Sequence, residues 1–217
     1  MTNILKIVKL DFALIKPYIK IMLIALASPL IIMYTTKDMV SGILFCMCFM
    51  AMTSGYTFSV AEKNDLSRLY GLLPISRNNI VTGRYLFILM EGVILNLVGI
   101  TANAIILTIT KVNFTVDDVL IGISVGHFIY FFFTAIQLPL FYKFGGIKGR
   151  FLSFLPFLGI FSTSEVAKRM SSDKLAELSS IAILNNPYGL LAISILTSII
   201  FYCISIGISQ RIYSRID

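Results

Sequence analysis

An ionisable side chain inside a long apolar run is costly, so its presence points to a partner or a function. Glu91 is the one charge clearly within such a run in this chain. It stands about two helical turns, roughly 10 Å, past the start of its run. Two readings fit: a carboxylate facing a polar cavity on a transport path, or a structural pair with Arg84, Lys143 or a lysine of the N-terminal helix. His127 is the sole histidine. A proton relay through it would need acidic neighbours, and its own run holds none. A nucleophilic triad would need a buried Asp, and every Asp falls outside the apolar runs. Cys46 and Cys48 point about 200° apart on a helix, so they do not converge on a metal. With Cys203 they fit buried apolar thiols. The glycine cluster Gly145-Gly146-Ile147-Lys148-Gly149 lacks the spacing and hydroxyl of a phosphate loop. No catalytic constellation, metal set or nucleotide site is legible. Two further polar groupings lie within apolar runs. Gly92, Asn96, Gly99 and Asn103 share one helical face, as do His127, Tyr130, Thr134 and Gln137, with Pro139 ending the second helix. Small residues let helices approach and amides bond across the contact, so these faces read as packing surfaces against each other. A substrate path is the alternative.

The elements that must position these groups follow from composition. The chain has 217 residues, 57% hydrophobic and 13% charged, with a mean hydropathy of +0.89. A soluble domain is about one-quarter charged, so an integral membrane protein is expected. Six segments read as spans: Ile19 to Thr36, Met39 to Ala61, Tyr85 to Ile109, Val119 to Tyr142, a weak fifth from Phe151 to Ala167 containing Pro156, and Pro187 to Ile208. Runs of about 20 residues match a hydrocarbon core of about 30 Å, and helices satisfy their backbone there. The predicted class is all-α, one domain over residues 1–217. There is no Trp, so any interfacial belt falls to Tyr. With the N-terminus inside, 13 of the 18 Lys and Arg fall on inner segments, which predicts both termini in the cytoplasm. The net charge of +7 follows from that retention, and no basic run is dense enough for a nucleic-acid arm.

Residues 1–18 read as an amphipathic helix on the inner leaflet. Lys6, Lys9, Lys16 and Lys20 share one arc, and Leu5, Val8, Phe12, Ile15 and Ile19 another. The same lysines, with no small-residue cleavage site after a short apolar core, argue against a signal peptide. Residues 164–186 form the long outer loop, with a short charged helix at its start. Between the second and third spans lies Glu62 to Phe87. Leu66, Leu69, Tyr70 and Leu73 recur at helical spacing, with Glu62, Lys63, Asp65 and Arg68 on the other faces. Gly71 and Pro74 end that helix. Ser76 caps a new one, with Ile75 and Ile80 placed as a hydrophobic staple. The new helix runs through Arg77 and Arg84 into the third span. A stiff connection of this kind either transmits a push or simply joins two spans.

This segment, EKNDLSRLYGLLPISRNNIVTGRYL, resembles the signature of ABC-2-type transporter permeases. The matching features are Glu62-Lys63 at the exit of the second span, a short coupling helix, Leu73-Pro74-Ile75-Ser76-Arg77, Ile80-Val81 and Arg84-Tyr85. The six-span plan and amphipathic start fit along the whole chain. The resemblance implies a transport subunit, not an enzyme, that docks a separate cytoplasmic ATPase through Glu62, Lys63, Leu66, Arg68, Leu69, Tyr70, Leu73, Pro74 and Arg77. ATP and Mg would then sit on that partner, with no cofactor on this chain. It further implies pairing with a second permease copy in the lipid bilayer of a bacterial plasma membrane; the absence of a dense basic run separately argues against a nucleic-acid partner. The size is similar to that of exporters of amphipathic peptides, such as phenol-soluble modulins, and of lantibiotic immunity transporters. A membrane enzyme using His127 or Glu91, an ion-driven transporter and a sensor or anchor subunit are the rivals.

Overall fold

A computed structural model describes residues 3–20, 24, 26–66, 70, 75–159 and 186–215. Seven α-helices are bounded within them: α1 (Asn3–Ile15), α2 (Ala27–Thr36), α3 (Met39–Thr53), α4 (Tyr56–Lys63), α5 (Arg77–Ile109), α6 (Val116–Phe144) and α7 (Pro187–Ser214). Short 3-10 turns follow α1 at Lys16–Tyr18 and α6 at Lys148–Phe154. The all-α expectation holds for the described residues.

Local chemistry sets the helix ends. The Asp38 carboxylate accepts from Ser41 N at 2.7 Å and starts α3. Ser76 starts α5 by accepting from Asn79 N, as the sequence predicts. Thr115 and Asp118 form a reciprocal capping box at α6. Asn186 Oδ1 accepts from Tyr188 N, and Pro187 occupies the first turn of α7. Gly145 ends α6 with φ of +81°, a conformation that favours glycine. Pro139 does not end that helix, contrary to expectation; it lies inside α6, which continues to Phe144. Helices of a membrane bundle tolerate an internal proline because neighbouring groups take up the freed carbonyl.

Among the described residues, four helical stretches are long and apolar enough to cross a membrane: Met39–Lys63, Arg77–Ile109, Val116–Phe144 and Pro187–Ser214. The first joins α3 and α4 through a break at Ser54–Gly55. The other two expected spans each include residues outside the described set, and their described parts form no helix of that length. α2 has 10 residues, about 15 Å at 1.5 Å per residue. The fifth segment is 3-10 and then helical over 151–159, and its remainder, with residues 160–185, lies outside the described residues.

α6 is central, packed by α3, α5 and α7. α7 runs parallel to it, since Thr134 meets Tyr202 and Tyr142 stacks near Tyr213. α5 and α7 are antiparallel: Arg77 reaches Ser214, Gln210 reaches Thr82, and Tyr85 reaches Ser205 and Ser209. The polarity is that of a membrane bundle. Ser194, Ser198, Ser205 and Ser209 of α7 point inward, while Leu196, Ile200 and Ile204 face out. Apolar residues cover the lipid side and small polar ones mediate close helix contact.

Candidate functional site

The N-terminal helix packs on the bundle through a face at the edge of the apolar arc that is expected to meet the membrane. Ile7, Asp11 and Ile15 are buried, whereas Leu5 and Phe12 are exposed. Asp11 lies on neither the lysine arc nor the predicted apolar arc. It is drawn inward because α5 presents a cation there: Arg84 Nε lies 3.5 Å from Asp11 Oδ2, and both side chains are buried. Gly83 lets the helices meet, since a Cβ on it would press into Ile7 and the α1 backbone. Arg84 Nη2 donates to the Tyr70 hydroxyl at 3.0 Å. The guanidinium also sits 4.4 Å from the Phe58 ring centre and 5.7 Å from that of Tyr70. One arginine therefore joins α1, α4, α5 and Tyr70 of the connecting segment. Burial pushes the Asp11 carboxyl above its ordinary range, against the pull of Arg84, and burial likewise raises the Tyr70 hydroxyl.

Leu66 and Ile75 pack with buried Ile7, Tyr70 and Ile80 in a small apolar cluster. Ile75 and Ile80 thus come together as the staple predicts. Leu66 and Tyr70 are helical; Arg68, Leu69, Leu73 and Pro74 lie outside the described residues. Arg77 Nη1 donates to the carbonyls of Tyr213 and Ser214 at 3.3 and 3.2 Å, at the end of α7. Glu62 and Lys63 are exposed at the end of α4. Glu62 Oε2 accepts from Ile147 N at 2.8 Å, and Ser59 Oγ donates to Gly146 O at 2.9 Å. Gly146 touches the backbone of Phe58 and Ser59 with no room for a Cβ. The described residues of the connecting segment and its two flanks therefore bind the middle of α1 and the ends of α6 and α7.

The remaining predicted residues lie elsewhere. Glu91 does not pair with Arg84; its Oε2 is buried and accepts no hydrogen bond. Asn96 and Asn103 are buried on α5, and Asn103 Nδ2 donates to Met39 O at 2.9 Å. Gly92 faces Tyr130, and Gly99 faces Cys46. Not all of the α6 residues pack on α5, contrary to expectation, because α3 and α7 also pack on α6. The Tyr130 hydroxyl donates to Ile88 O, but Thr134 bonds the Tyr202 hydroxyl. Gln137 accepts from Ser54 and donates to Leu152 O. His127 is half-buried, its ring 4.4 Å from that of Phe131. Cys46 and Cys48 are buried, and Cys203 is exposed on α7.

Sequence reasoning missed Asp11 and the serines of α7. The signal for Asp11 was its being the one acid among the lysines of α1. That for the serines was their spacing of four, seven and four residues, which keeps them on one helical face.

A family model described as ABC-2 family transporter protein matches residues 6–214. No curated protein and no solved structure matches the chain. The match spans α1, the clamped segment between the second and third predicted spans, and the last helix. The chain belongs to the ABC-2 transporter family and is its membrane-embedded transport subunit, without a catalytic domain of its own.

Proposed function

We propose that this chain is the permease of an ATP-driven exporter of amphipathic or hydrophobic peptides. Membership of the family implies an ABC ATPase as partner. In our reading that ATPase holds ATP and Mg, docks on the segment from Glu62 to Arg77, and serves a pair of permease chains in a bacterial plasma membrane. One observation carries the coupling role: Tyr70, in the middle of this segment, is hydrogen-bonded to an arginine that also meets Asp11 of α1. Displacement of the segment is thereby passed to α1 and α5 together, and through Arg77 to the end of α7.

Six crossings with both termini inside are part of this proposal. Two relations among described residues support them. α6 and α7 are parallel, so Gly145 and Asn186 stand at opposite ends of the bundle. α1 meets α5 near Gly83, whereas Asp38 meets Asn103 at the opposite end of α5, so residues 16–37 also traverse it. The peptide substrate rests on the family resemblance and on apolar size class alone.

The test is reconstitution of the chain with its ATPase in vesicles, followed by uptake of a labelled amphipathic helical peptide into inverted vesicles. ATP-dependent accumulation is expected, and replacement of Tyr70 by Phe should lower transport per ATP hydrolysed. Accumulation that is independent of ATP would overturn the proposal.

A further inference from the structure

Tyr56, Ser59, Val60 and Lys63 recur at helical spacing and share one face of α4. A cavity of about 370 Å³ runs along that face. Tyr18, from the turn after α1, closes one side, its ring centre 5.4 Å from that of Tyr56. Ser153 and Phe154, from the turn after α6, close the other. The lining gathers donors and holds no carboxylate. Lys63 is exposed, and among the described residues no acid pairs with its ammonium. Its neighbour Glu62 is turned to Ile147 N. The hydroxyls of Tyr18, Tyr56 and Ser153 bond none of the described residues, whereas Ser59 donates to Gly146 O.

One ammonium and three hydroxyls make a set of partners for a phosphate: the ammonium balances its charge and the hydroxyls donate to its oxygens. The position agrees. Lys63 ends the Met39–Lys63 stretch, and Tyr56 stands about 10 Å inside that end, the zone where tyrosines and lysines meet lipid headgroups. Met52, a further turn inward, and the exposed Phe154 give the cavity an apolar side towards the bilayer. A zwitterionic headgroup would bring an ammonium that no group of the lining receives. The volume is that of a small-molecule site.

We propose that this cavity binds the headgroup of an anionic phospholipid. The phosphodiester meets Lys63 and the hydroxyls of Tyr18, Tyr56 and Ser153, and the acyl chains leave past Met52 and Phe154. Such binding requires neither ATP nor a partner chain, so it stands apart from the transport reading.

The probes are phosphatidylglycerol and phosphatidylcholine with identical acyl chains. Each is titrated against the full chain in detergent, and bound lipids are counted by native mass spectrometry. Phosphatidylglycerol is expected to saturate at one tight site per chain, about ten-fold tighter than phosphatidylcholine. Lys63→Gln should bring the two lipids to equal affinity, and Tyr18→Phe/Tyr56→Phe should weaken phosphatidylglycerol about five-fold. Lys148→Gln, which removes an exposed lysine outside the cavity, should leave the preference intact. Equal affinities in the wild-type chain would overturn the proposal. So would a preference lost equally in Lys63→Gln and Lys148→Gln, which marks diffuse attraction to a basic surface. Displacement of the lipid by millimolar inorganic phosphate would make this a site for the free anion and would also overturn it. If Lys63→Gln fails to fold, the tyrosine double variant decides: unchanged affinity there counts against the site.

Discussion

Arg84 of α5 lies 3.5 Å from Asp11 of α1, and both side chains are buried. This pair fixes the N-terminal helix against the helix that emerges from the connecting segment. Taking two charges out of water is costly, and removing one partner leaves the other buried and uncompensated.

Asp11→Ala and Arg84→Ala are each expected to lower stability by about 3–5 kcal/mol. The double variant Asp11→Leu/Arg84→Met should recover most of that loss, because two apolar side chains replace two charges. Thermal unfolding in detergent, followed by circular dichroism, checks this. Additive losses in the double variant would show that the two side chains do not act as a pair.

Gly146→Ala should destabilise the chain by about 1–3 kcal/mol, because a Cβ there has only backbone to press against. Glu62→Gln should cost far less, since Glu62 is exposed and the amide oxygen can still accept from Ile147 N. Chemical unfolding midpoints of the two variants provide the comparison. Equal losses would mean that the turn after α6 is not held by its close approach to α4.

Arg77→Ala should fray the last turn of α7 without unfolding the bundle. Two carbonyls there lose their charged donor, worth about 1–2 kcal/mol at this exposed position. Amide exchange over residues 210–214 should accelerate about ten-fold, with an unchanged melting temperature. No local change would show the bonds to be idle.

The sequence carried the membrane class, the starts of α5 and α7 and the Ile75–Ile80 staple, because length, apolarity and cap chemistry are local signals. It also carried the run of α5 through Arg77 and Arg84. Asp11 was not legible because its position is decided by a cation on another helix, 73 residues away in sequence. The partners of Thr134 and Gln137 escaped for the same reason: a central helix packs against several others, and spacing does not say which. Pro139 misled because its usual effect is overridden inside a packed bundle.

The most direct measurement is co-purification of the ATPase with the permease from detergent, comparing the wild type with Leu66→Ala/Leu69→Ala/Leu73→Ala. The account predicts that the ATPase elutes with the wild-type chain and is lost from the variant, while the variant still inserts in the membrane in equal amount. Equal recovery of the ATPase with both chains would contradict docking on the segment from Glu62 to Arg77.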